Sequence, residues 1–170
     1  MRCAPSSPSC RDMTGPGGTD DPDTDGATPL VVLSDPTPDD IVALEDQLYG
    51  FNVAATGIDD GRYLSIFLKR DDGTIYAGLH GHSWAGVCEI KTLWIADSER
   101  GKGLGSRLLA AAEQEARLRG CHVVHLASFT FQAPDFYEKH GFQRLVQLED
   151  FPRGHANVLL AKTLVPEPPV

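Results

Sequence analysis

The sequence predicts a mixed fold of the α/β (α+β) class, built on a mostly antiparallel sheet of six to seven strands. Three observations lead there. Seven short runs rich in β-branched and aromatic residues are separated by turn signals. Two of them flank Arg70-Asp71-Asp72-Gly73, a hairpin turn. Two others, Val87–Ile95 and Cys121–Ala127, flank an amphipathic helical stretch, and a strand reached through a crossover helix lies parallel to the one before it.

Residues 1–29 are almost entirely Pro, Gly, Ser, Thr and Asp, a composition that buries too little apolar surface to offset chain entropy. A disordered tail is expected there, then one domain over 30–164 and a loose end at 165–170. Leu30-Val31-Val32-Leu33 reads as the first strand, broken by Asp35-Pro36. Thr37-Pro38-Asp39-Asp40 has the form of a helix start, with Pro at the first position and acids at the positive end of the dipole. Ile41, Val42, Leu44, Leu48 and Tyr49 keep helical spacing to about Gly50, and Phe51 to Gly57 forms a second short helix or an ordered loop.

Tyr63–Leu68 and Thr74–Leu79 are the next strands, with Gly81 and Gly86 loosening the connection to the fourth, Val87–Ile95. From Leu104 to Arg119, Leu104, Leu108, Leu109, Ala111, Ala112, Ala116 and Leu118 mark an apolar helical face; Glu113, Gln114, Arg117 and Arg119 mark the polar side. Gly120 stops that helix before the fifth strand, Cys121–Ala127. A short helix then runs from Pro134 to Gly141, and Phe142–Leu148 and Asn157–Leu164 close the sheet.

A net charge of −9 argues against a nucleic-acid surface and favours a cationic partner or substrate. No apolar run approaches the roughly 20 residues that span a bilayer, and no apolar segment follows Arg2 as a secretory signal requires. Four cysteines without C-x-x-C or Cys/His ligand spacing suggest neither zinc nor a disulfide framework, so a reduced cytoplasm is the expected location.

The chemistry centres on Arg100-Gly101-Lys102-Gly103-Leu104-Gly105-Ser106, set between a strand and a helix. A helix start presents unpaired N–H groups and positive dipole charge; the glycines open access to them, and Arg100, Lys102 and Arg107 add cations. This is a phosphate cradle. It is not a nucleotide P-loop, because Gly103 follows Lys102, and not a dinucleotide fingerprint, because Ser106 takes the last glycine slot.

Arg-x-x-Gly-x-Gly between strand and helix resembles the acyl-CoA pyrophosphate loop of the GCN5-related N-acetyltransferases. Ala133-Pro134-Asp135-Phe136-Tyr137-Glu138-Lys139-His140-Gly141-Phe142 resembles the second hallmark of that family, with Thr130 where the family often has Asn. The resemblance implies helices on both sheet faces and strands four and five splayed around acetyl-CoA. It implies backbone pairing of the cofactor arm with Leu93, Trp94 and Ile95, the Leu93 N–H aimed at the thioester oxygen. It also implies a tyrosine acid, Tyr137, protonating the departing thiolate; a core aromatic beside Phe136 is the structural alternative.

Glu89, eleven residues before Arg100, is the candidate base, at the offset where some members carry a catalytic glutamate. Pairing with Lys91 on the same strand face is its structural alternative, and His80 and His82 are rival bases. Cys88 is not expected to act as a nucleophile. The function expected is N-acetyl transfer to a primary amine of a small molecule or peptide by direct attack in a ternary complex; the alternative is a non-catalytic acyl-CoA-binding module. Family members often pair, so a homodimer is a further expectation.

Overall fold

The computed structural model describes residues 29–164. Expectations for 1–28 and 165–170 lie outside the described residues. The chain divides into two units, one to Ile41 and one from Val42.

In the first unit Leu30–Leu33 forms no strand. A β-branched run supplies only local propensity; a strand also needs a partner ladder, and Asp35-Pro36 ends this one after four residues. The first helix, α1 (Pro38–Thr56), begins where expected. Asp40 N–H donates to Thr37 Oγ1 at 3.2 Å, and the Thr37 hydroxyl donates to the Asp40 carboxylate at 2.7 Å. It runs past Gly50 without a break, so Phe51 to Thr56 is neither a second helix nor a loop. Tyr49, Asn52 and Val53, at i, i+3 and i+4, are its half-buried positions and continue one face through the glycine.

Six strands follow: β1 (Arg62–Lys69), β2 (Ile75–Trp84), β3 (Val87–Ile95), β4 (Val123–Phe129), β5 (Gln143–Glu149) and β6 (Ala156–Thr163). Their order is β1-β2-β3-β4-β6-β5, and among the described residues only β3 and β4 pair in parallel. The β1–β2 turn closes as expected, Gly73 N–H donating to the Arg70 carbonyl at 2.9 Å. The next connection is not loose: β2 runs through Gly81 to Trp84, and Ala85-Gly86, both at positive φ, turn the chain directly into β3.

The crossover helix α2 (Leu104–Leu118) buries Leu108, Leu109, Ala112 and Ala116 against Leu64, Leu79, Cys88, Ile90, Val124 and Leu126. Three residues depart from the expected faces, Leu118 at the last turn being exposed like Ala111. Ala111 is exposed, and Glu113 is buried, because Lys162 of β6 reaches it with Nζ–O distances of 2.7 and 2.8 Å while Arg117 lies at 3.2 Å. The Lys162 ammonium also donates to the His140 carbonyl at the end of the short helix α3 (Pro134–Lys139), tying α2, β6 and α3 together.

Candidate active site

Strands β3 and β4 pair only over Val87–Ile90 and Val123–Leu126, although β3 continues to Ile95 and β4 to Phe129. Beyond that point they part and leave a wedge. The β2 ladder fixes which backbone groups face it. In an antiparallel pair, opposed residues alternate between exchanging both hydrogen bonds and exchanging none. Ala96 N–H donates to the Tyr76 carbonyl at 2.8 Å, while Ile95 stands opposite Ala77 and Leu93 opposite Leu79. Leu93 and Ile95 therefore occupy non-bonded positions, and their N–H and C=O groups turn from β2 toward the wedge. The Ile95 carbonyl accepts instead from Arg100 Nε at 3.2 Å.

The wedge is a cavity of about 630 Å³. Leu93, Trp94, Ile95, Arg100 and Gly105 line one side; Ala127 and Ser128 of β4, then Phe131, Gln132, Phe136 and Tyr137, line the other. The sequence motifs located both walls but not the contribution of Ala127 or Phe131. Trp94 is half-exposed here rather than in the core.

At the phosphate loop, Gly101 and Gly103 take φ of +75° and +76°, and a Cβ on either would meet nothing within 4 Å. They serve the left-handed turn that leads into the α2 N-terminus. Gly105 serves contact instead: its Cβ would lie 3.2 Å from Phe136 and 3.4 Å from Ile95. Arg100 pairs with Asp97 at 3.0 Å and Lys102 with Glu99 at 2.9 Å, a hydrogen bond that holds the Glu99 carboxyl below its ordinary range. Leu104 packs on the core. The Ser106 hydroxyl shares a 2.9 Å hydrogen bond with His140 Nε2, while His140 Nδ1 meets the Phe136 carbonyl at 2.8 Å. The loop and the Tyr137 helix are thus fastened to each other.

Tyr137 and Phe136 both line the wedge, so the two readings of that aromatic pair are not exclusive. Tyr137 is 8% exposed, and burial raises its phenol pKa, so the hydroxyl keeps its proton. Thr130, in the place of the family's frequent Asn, is turned to other use: its hydroxyl accepts from Ala156 N–H at 3.0 Å.

Glu89 does not pair with Lys91. The β2–β3 register shifts between His80 and Gly81, His80 facing Thr92 and Gly81 facing Ile90, which leaves Lys91 as the extra residue of a β-bulge. The bulge breaks the alternation that would have put both side chains on one face. It also turns Ile90 and Leu93 alike to the core. Glu89 instead stands opposite His82, with Oε2 3.5 Å from His82 Nδ1.

His82, Lys91, Tyr63, Trp84, Tyr49, Glu45, Asp46 and Arg62 line a second cavity of about 420 Å³ on this face. Lys91 borders both cavities. Glu89 lines neither, and His80 is engaged elsewhere, its Nδ1 2.8 Å from Ser65 Oγ. Cys88 is buried, its thiol pushed up to about 11, consistent with no nucleophilic role.

A model of the acetyltransferase (GNAT) family matches residues 32–142. An acetyltransferase of Agrobacterium fabrum (strain C58) is 34% identical over 120 residues, 71% of this chain and 88% of that protein. Blasticidin-S acetyltransferase of Streptomyces morookaense is 39% identical over 113 residues, 64% of this chain and 83% of that protein. Among solved structures, an acetyltransferase from Bacillus cereus ATCC 14579 aligns with a TM-score of 0.64 at 30% identity, covering 79% of this chain and 98% of its own. An aminoglycoside 6'-N-acetyltransferase complexed with coenzyme A shares the fold at a TM-score of 0.54 and 19% identity, over 63% of this chain and 76% of its own. With the split sheet, the glycine turn and a family match spanning both motifs, the chain belongs to the acetyltransferase (GNAT) family, whose cosubstrate is acetyl-CoA.

Proposed function

We propose that this protein transfers the acetyl group of acetyl-CoA to a primary amine of a small molecule or peptide, by direct attack in a ternary complex. The observation that carries the reading is the wedge: the Leu93 backbone groups and the Ile95 N–H, turned from β2, on one wall, the α2 N-terminus at one end and Tyr137 on the other wall. Each meets one need of the reaction.

Gly101 to Ser106 and the first turn of α2 hold the diphosphate with backbone N–H groups and dipole charge. Leu93 N–H sits where negative charge develops on the thioester oxygen. Tyr137, its proton retained by burial, donates to the departing thiolate. The Glu89–His82 pair removes the proton that an ammonium of ordinary pKa, about 10.4, otherwise keeps on its nitrogen.

The second cavity suits a small polar acceptor, and Lys91 joins it to the wedge. Its volume of about 420 Å³ lies in the range of small-molecule sites. A relative's name, Blasticidin-S acetyltransferase, supports putting antibiotic amines first among acceptors to try. The test is a panel of amines, from antibiotics and polyamines to peptide N-termini, assayed for acetyl-CoA-dependent release of thiol. Amine-dependent release is expected for at least one class; binding of acetyl-CoA with no accelerated release across the panel would leave an acyl-CoA-binding module.

A further inference from the structure

We infer that His82 is the catalytic base, accepting the proton of the acceptor amine from within the second cavity, and that Glu89 positions and polarises its ring. The inference rests on the acetyl-transfer reading and names the atom that reading leaves open.

Placement carries it. Of the two paired side chains, His82 lines the cavity and Glu89 does not. His82 stands opposite Glu89, one step from Gly81 and Ile90, the pair at which β3 and β4 begin to part. The ring lines the acceptor cavity together with Lys91, the residue that also borders the thioester wedge. Nδ1 lies 3.5 Å from Glu89 Oε2, close enough for the carboxylate to stabilise the imidazolium, and Nε2 is the nitrogen left to accept the proton.

The charged and titratable groups around the ring come from four other segments and its own strand. They are Glu89 and Lys91 of β3, His80 of β2, His125 of β4, Arg62 and Tyr63 of β1, and Glu45, Asp46 and Tyr49 of α1. Burial lowers the His82 pKa from 6.5 and outweighs the opposing pull of Glu89, so the ring is neutral and able to accept at neutral pH.

The proton balance closes. The ammonium gives one proton to His82 Nε2, making an imidazolium stabilised by Glu89. The freed amine nitrogen bonds to the thioester carbon, and the carbon–sulfur bond breaks. Tyr137 gives its proton to the thiolate and recovers one from the new amide nitrogen. His82 releases its proton to solvent, so one proton leaves per turnover.

The experiment is single-turnover acetylation across pH, at saturating acetyl-CoA, with the best amine from the panel. Wild type is expected to show an acid-side inflection below the ordinary imidazole value. In His82→Gln that inflection disappears and the rate falls about 100-fold, with acetyl-CoA affinity unchanged by calorimetry. Added imidazole restores rate to His82→Ala, which a purely structural role for the ring would not allow. Glu89→Gln keeps the inflection but moves it to lower pH, because the carboxylate that favours the imidazolium is gone. The opposite pattern, with His82→Gln like wild type and Glu89→Gln losing the inflection, overturns the inference and leaves acetyl transfer standing with Glu89 as base. A wild-type protein that acetylates no amine overturns the broader reading, and this inference with it.

Discussion

At the scale of single residues, the site depends on two contacts that tolerate no added atoms or lost ones. A Cβ at Gly81 would run into the Glu89 carbonyl oxygen and lie 3.0 Å from Ile90 Cα. Backbone cannot yield there without moving the bulge, so Gly81→Ala is expected to cost about 3 kcal/mol or more, toward the upper end for overpacking. Denaturant unfolding measures this; a loss under 1 kcal/mol would mean that the strands separate at little cost. Tyr137→Phe removes an oxygen from the wedge wall and leaves the ring packed on Phe142 at 5.9 Å. Its kcat is expected to fall by roughly tenfold to 100-fold with acetyl-CoA affinity retained; an unchanged single-turnover rate would remove the hydroxyl from the chemistry. Residue identities were legible at this scale, since the loop glycines and Tyr137 stand in motifs. The partner of Glu89 was not. Lys91 belongs to the same face only if β3 is regular, and a bulge is decided by two strands together.

At the scale of elements, α2, α3 and β6 are joined by a buried carboxylate. Glu113 is 6% exposed and meets two oxygen-to-ammonium contacts from Lys162, which itself caps the His140 carbonyl. Removing one member of a buried pair strands the other, so Glu113→Ala is expected to lose about 3 kcal/mol. It should also weaken acetyl-CoA binding, because His140 holds both Ser106 and the Tyr137 helix. Melting and calorimetry on the same variant check both; a loss of stability with unchanged affinity would make the tie structural alone.

Helical spacing announced α2 almost to the residue, yet put Glu113 on the polar side, because periodicity cannot see Lys162 arriving from a strand 49 residues later. Leu30–Leu33 shows the reverse error, apolar composition without a ladder to join. At Gly50, a glycine that costs about 1 kcal/mol against alanine in a helix was outweighed by the half-buried face on either side of it.

At the scale of the whole molecule, the parallel β3–β4 pair could be foreseen because a crossover helix leaves the chain few other ways back to the sheet. The second cavity could not. Tyr49, Tyr63 and Trp84 come from three separate segments, and no local spacing brings them together. The division of the sheet has a consequence for how the protein meets its cosubstrate. Past Ile90 and Leu126, β3 presents amides on its open side with no neighbouring strand to receive them. On the proposed reading a pantetheine arm fills that gap as the missing rung, so exchange with deuterium at Leu93 and Ile95 should slow sharply when acetyl-CoA is added. Exchange at Gly78 and His80, whose amides are already paired with Trp94 and Thr92 in the β2–β3 ladder, should hardly change.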